Sequence, residues 1–246
     1  MNQPHRVHYS RTRTLVHRYR ACLLGDWPTL LLLLGQAPLI GYLCTLVWGS
    51  VGRDTPSLYF VLCLASLWFG CINACREIVR ERPIFERERL FGLRPWSLIW
   101  STFEVLAWIG LLQVILLQMS VELKIGIRGP MPIQLVALWS ASLAGTALGL
   151  LVSALSLSQD RAVAAIPLLI LPQILFSPFT IDKGSQSDIV SAIEKLMPVH
   201  WAMTFFEESA GSDPAWLAAF GDALVLLSYT AVLLGASVVV LVPRKV

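Results

Sequence analysis

Six stretches of this 246-residue chain, 27–52, 55–75, 105–121, 129–159, 162–181 and 223–243, contain no Asp, Glu, Lys or Arg. A helix needs roughly 20 apolar residues to cross a bilayer. Most of the stretches reach that length, and 105–121 does so once 95–100 is added and Glu104 is tolerated. In hydrocarbon every backbone N–H and C=O must find its partner within the protein, so a spanning chain forms helices or a closed barrel. The runs are long and lack alternation of apolar and polar residues, which argues against strands. The reading is an all-α integral membrane protein with six transmembrane helices, over about 27–49, 56–76, 96–119, 131–156, 161–180 and 215–242.

The first apolar run is read as a span and not a signal peptide. It follows a tail of about 25 residues, exceeds a typical signal core and has no small-x-small cleavage site. Lys and Arg set the orientation. With the N-terminus inside, the inner face carries Arg6, Arg11, Arg13, Arg18 and Arg20, six Arg within 76–94, and Arg161, Arg244 and Lys245. The outer face carries Arg53, Lys124, Arg128, Lys183 and Lys195, so the division is 14 to 5. The expectation is a multi-pass plasma-membrane protein with both termini cytoplasmic. Short loops and the lack of an Asn-x-Ser/Thr sequon favour a bacterial inner membrane. The net charge of +3 reflects this asymmetry and not nucleic-acid binding.

Charge is concentrated in 76–94, which holds six Arg and four Glu in a chain only 14% charged. The segment joins the second and third spans on the inner side. Pro83 is expected to divide it, since proline is tolerated in a first turn but not inside a helix. The second span would then run on to about Arg82, with a short helix over 83–91 closed by Gly92. Residues 1–10 are expected to be disordered. Residues 11–24 place Leu15, Val16, Tyr19 and Leu23 on one stripe, as an interfacial amphipathic helix does. On the outer side, 185–197 carries Ile189, Val190, Ile193, Leu196 and Met197 at helical spacing before Pro198, and 199–206 is apolar but too short to span. Two short re-entrant helices dipping into the membrane edge fit this pattern. The fourth span is rich in Ser, Ala and Gly, which lets helices approach closely in lipid.

The chain reads as one domain, with 1–25 as tail and interfacial helix and 26–246 as the membrane domain. It carries no GxxxxGK[ST] loop to cradle nucleotide phosphates and no HExxH or GxSxG motif, so it is not expected to be an enzyme. Cys22, Cys44, Cys63, Cys71 and Cys75 lie in or beside helices and read as packing residues. No metal site is expected. Two carboxylates fall within spans, Glu104 and Asp222, and an intramembrane charge invites a functional reading. Each stands between a structural polar contact and a role with substrate or protons. Glu104 is placed to pair with an Arg of 76–94 or to face the bundle interior.

The order of elements resembles the membrane domain of ABC exporters of the G (white/pleiotropic-drug) subfamily and the broader type-2 permease family. The likeness is sharpest in Asn73–Gly92, where the family carries a similar Glu-(Lys/Arg)-x-(Ile/Leu)-(Phe/Tyr)-x-(Arg/His)-Glu run. Leu175-Phe-Ser-Pro178 is similar to the family's (Phe/Leu)-Phe-Ser-Gly, and Met197–Ala202 to its Pro-x-x-(Trp/Tyr)-(Ala/Gly).

The resemblance implies that 76–94 is a coupling helix that docks, beside the N-terminal helix, against an ABC nucleotide-binding subunit. Arg76, Glu77, Arg80, Glu81, Arg82, Phe85, Arg87 and Glu88 would make that contact, with Phe85 as apolar anchor. ATP and Mg would be held by that partner, with no cofactor in this chain. It implies a second permease half, homo- or heterodimeric, with a substrate path at the two-fold axis. Phe69 and Asn73 of the second span, Leu171 of the fifth, and a plug at Phe179 and Thr180 would line the path. Pro178 and Thr180 depart from the family's pattern at the plug. The implied function is export of a lipid-like or amphipathic substrate by alternating access. A type-2 permease for a polysaccharide or lipid-linked polymer and a non-transporting scaffold or sensor are the alternatives.

Overall fold

The computed structural model describes residues 4–50, 55–179, 188–210 and 216–242, with the backbone alone for 4–11 and 210. The described residues form ten helices: α1 Pro4–Gly25, α2 Trp27–Trp48, α3 Pro56–Ala74, α4 Glu77–Leu90, α5 Pro95–Glu122, α6 Met131–Leu155, α7 Gln159–Leu175, α8 Asp188–Lys195, α9 Pro198–Ala210 and α10 Trp216–Leu241. No strand occurs among them. Helix starts follow their local chemistry. The Thr55 hydroxyl accepts from Leu58 N and Pro56 opens α3, where a missing N–H costs nothing. Arg94, in the extended conformation favoured before proline, precedes Pro95 at the start of α5.

Five helical stretches are long and apolar enough to cross a membrane: Trp27–Trp48, Pro56–Leu90, Pro95–Glu122, Met131–Leu155 and Trp216–Leu241. These cover five of the six expected spans. The other, 161–180, is represented by α7, which has only 17 residues and contains Pro167 and Pro172.

α3 is the central helix and packs most extensively on α6. The reason is the absence of side chains at the crossing. A Cβ on Gly145 would stand 2.1 Å from the Leu67 carbonyl oxygen, and one on Gly70 2.1 Å from that of Ser142, so the two backbones touch. The small-residue run of the fourth span serves this contact. α2 packs chiefly on α5, and α10 on α6 and α9, while α7 is only thinly held by α3, α6 and α9. Polar side chains tie the interior. Asn73 Nδ2 donates to Gln113 Oε1 at 2.6 Å, and Gln113 Nε2 donates to the Leu33 carbonyl at 2.8 Å.

Three sequence expectations are corrected. α1 begins at Pro4, so 4–10 is helical and not disordered. The break after the second span falls at Cys75–Arg76, and α4 runs unbroken through Pro83. Pro83 is exposed, so the single carbonyl it leaves unpaired is free to meet solvent. The third concerns the pair α8 and α9: Ile189 of α8 and Leu196 just after it face outward, as in an edge helix, and Glu194 is buried and meets His200 Nδ1 at 3.1 Å. α9 is no edge helix, since Val199, Ala202, Phe205 and Phe206 are buried and Phe206 meets the Tyr59 ring at 4.7 Å.

Candidate functional site

The charged segment folds as α4 and is clamped to one end of the bundle from two sides. On the first side it exchanges caps with α6. The first backbone N–H groups of a helix have no partner within it. In α4 those of Ile78 and Val79 donate to Ser153 Oγ at 3.0 and 3.1 Å. In return Arg82 donates to the Ser156 carbonyl at 3.0 Å and to the Ala154 carbonyl, both left open where α6 ends. A guanidinium at a helix C-terminus also meets the negative end of the helix dipole.

On the second side α4 is gripped by α1. Arg18 donates through Nη1 to Glu88 at 2.7 Å and through Nη2 to Glu81 at 3.1 Å. Seven residues apart, the two carboxylates lie on one face of α4, two turns from each other. Beside them Tyr19 Oη donates to Glu77 Oε2 at 2.5 Å, and Arg80 donates to the same oxygen. Burial, with the Glu77 carboxylate adjacent, pushes the Tyr19 phenol well above its usual range, so Tyr19 stays a donor. Phe85 is buried beneath this layer with Tyr19, Ile78, Leu98 and Ile99.

Most of the residues expected to face a partner therefore hold α4 onto its own chain. Glu77, Glu81, Arg82 and Glu88 turn toward α1 or α6, and Phe85, expected as the apolar anchor for a partner, is 3% exposed and packs inside its own chain. Arg76, Arg80 and Arg87 remain exposed. The outer face of α4 carries Pro83, Ile84, Glu86, Arg87 and Leu90, continued by Phe91. Leu90 and Phe91 are 87% and 83% exposed. The helix ends in a Schellman turn, in which Leu93 N donates to Glu88 O and Gly92 N to Arg89 O, with Gly92 at φ 88°.

The expected path residues are not brought together. Phe69 is fully buried in the core, and Asn73 is buried against Gln113. The outward stripe of α3 is Val61, Leu64, Trp68 and Ile72, one residue out of register with Phe69. Leu171 and Phe179 are exposed, and Phe179 rests on the Phe60 ring at 5.5 Å. Thr180 lies outside the described residues. Glu104 neither meets an Arg of α4 nor faces the bundle interior. It is half-buried in a cleft beside α1, with Arg13 and Arg20. Asp222 is buried and accepts from Thr204 Oγ1 at 2.5 Å, a contact that ties α10 to α9. No cluster of three or more His, Cys, Asp or Glu able to hold a metal occurs among the described residues.

Sequence reasoning missed Ser153 as a cap and Ile84, Leu90 and Phe91 as the outer face. For the face a signal existed, since Ile84, Arg87 and Leu90/Phe91 follow helical spacing within an unbroken α4. For Ser153 there was none beyond its place at the end of a small-residue helix.

A family model described as ABC-2 type transporter matches residues 10–209. No curated protein matches the chain.

Proposed function

The chain belongs to the ABC-2 type transporter family, as a multi-pass permease component, and from this we propose that it is half of an ATP-driven exporter. In this reading the outer face of α4 docks an ABC nucleotide-binding subunit, which binds ATP and Mg. The carrying observation is the division of α4 into a clamped side and a presented side. A helix held by reciprocal caps to α6 and by Arg18 and Tyr19 to α1 moves as one body with them. Its outer side offers Arg87 among the exposed Pro83, Ile84, Leu90 and Phe91, an apolar patch with a charge of the kind that dominates protein interfaces. Closure of the ATP-bound subunits would push this body and rearrange the bundle.

The second half would meet the thinly packed α7, whose Leu168, Leu171 and Leu175 are exposed, and the outward stripe of α3 with Trp68. α7 would be the sixth span. Seventeen residues reach about 25 Å, at the short end of what crosses a bilayer. Even-numbered spans put both termini on one side. The contact of α1 and the α6–α7 link with α4 at one end of the bundle supports that arrangement. The excess of Arg there supports reading it as the cytoplasmic end. The outward Ile189 of α8 and Leu196 just after it suit a helix lying in the outer interface. A path formed where the apolar faces of α7 and α3 meet those of a second half would suit a lipid-like or amphipathic substrate.

The test is reconstitution with the ATP-binding subunit in lipid vesicles. The proposal expects substrate-stimulated ATP hydrolysis that is lost when Ile84 and Leu90 become Asp, while insertion and thermal unfolding of the chain are unchanged. Unchanged hydrolysis would remove α4 from the docking role.

A further inference from the structure

A second feature of the same end of the molecule is a cleft of about 1060 Å³ between α1 and the start of α5. α1 contributes Arg13, His17 and Arg20, spaced to share one helical face, and α5 contributes Trp96, Trp100 and Glu104 at successive turns. The two indoles stack, with centroids 5.6 Å apart and planes 21° from parallel. Glu104 has no hydrogen bond or ion pair among the described residues. The cleft opens into a groove of about 230 Å³, which shares Arg20 and Leu24 with it and continues past Leu30, Leu34, Trp108 and Leu112 along α2 and α5.

We propose that this cleft and groove bind a membrane aminophospholipid, with the headgroup held between α1 and α5 and an acyl chain along α2. The observations select each part of the ligand. Arg20, exposed at the Arg-rich end of the bundle that the proposed topology makes cytoplasmic, calls for a phosphate, which a guanidinium group forks. The Glu104 carboxylate, without a cation of its own, calls for a positive group on the same ligand, and the exposed Trp96 and Trp100 rings add cation–π attraction. Phosphate and primary ammonium together specify phosphatidylethanolamine over an anionic lipid such as phosphatidylglycerol, which Glu104 repels. Tryptophans at the start of a span sit at headgroup depth, and the leucine-lined groove is apolar as an acyl chain requires. α1 is then a helix with two working faces: Arg18 and Tyr19 grip α4, and Arg13, His17 and Arg20 hold the lipid.

The test is lipid retention by the purified full-length chain. The chain is equilibrated with equal amounts of dioleoyl phosphatidylethanolamine and dioleoyl phosphatidylglycerol, exchanged into detergent, and its bound lipid measured by mass spectrometry. The wild type should retain phosphatidylethanolamine over phosphatidylglycerol by roughly tenfold, the scale of one charge-assisted hydrogen bond. Glu104→Gln, close to isosteric, should bring the ratio near one. Arg20→Gln, on an exposed residue, should lower retention of both lipids. Asp188→Asn, on an exposed residue at the start of α8, should change neither. Equal retention of the two lipids by the wild type, a ratio indifferent to Glu104→Gln, or no retained lipid would each overturn the proposal.

Discussion

Arg18 Nη1 donates to Glu88 Oε1 at 2.7 Å, across 70 residues of sequence, and so fixes the N-terminal helix to the charged helix between the second and third spans. The pair is half-exposed, with side-chain exposures of 39% and 37%, so its contribution to stability is at most about 1 kcal/mol. Its value lies in orientation. Arg18→Glu should leave the thermal midpoint nearly unchanged yet lower coupled ATP hydrolysis by about 2- to 30-fold, the range by which coupling residues act. Adding Glu88→Arg should restore part of the loss. A double variant no better than the single one would contradict the grip of α1 on α4.

Ser153 supplies the N-terminal cap of α4 from another helix. Ser153→Ala leaves the N–H groups of Ile78 and Val79 without an acceptor and should cost about 1–2 kcal/mol, as loss of a cap does. Ser228→Ala, which removes only an exposed bond to Val225 O within α10, should cost close to nothing. Thermal unfolding in detergent compares the two, and equal midpoints would show that Ser153 does not carry the cap.

The α3–α6 crossing admits no side chain at Gly145. Gly145→Val must force the Leu67 backbone away and should destabilise the bundle by about 1–3 kcal/mol or more. Gly235, with open space where its Cβ would lie, is the control, and Gly235→Ala should be neutral or better. Detergent-resistant folded yield reads both.

The spans are legible in the sequence because an apolar run of roughly 20 residues without charge is the length and chemistry that a bilayer crossing demands. So is the interest of 76–94. The internal arrangement is not. Proline is costly within a buried helix, which makes Pro83 the expected break, but here it lies on the exposed side. The break falls two residues before Ile78, where Ser153 of a distant helix can take over the orphan N–H groups. Charge and resemblance point Phe85 and the glutamates outward, although Arg18 and Tyr19, some 60–70 positions away, draw them inward. Phe69 misses the outward stripe by one residue, which on a helix is a rotation of about 100°. Such differences come from the neighbouring helices, which no local pattern records.

Phe85 and Leu90 separate the two sides of α4. Phe85→Ala opens a cavity inside the chain and should destabilise it by about 3–5 kcal/mol. Leu90→Asp, at a position 87% exposed, should leave the fold intact. Thermal unfolding in detergent distinguishes the two, and equal losses would place Leu90 on the clamped side as well.

The most direct measurement of the central claim is the affinity of the purified chain for its ATP-binding subunit, wild type against Leu90→Asp with Phe91→Asp. Docking through the outer face of α4 predicts a loss of tenfold or more, about 1.4 kcal/mol or greater, with the unfolding midpoint unchanged. An affinity equal to that of the wild type would contradict it.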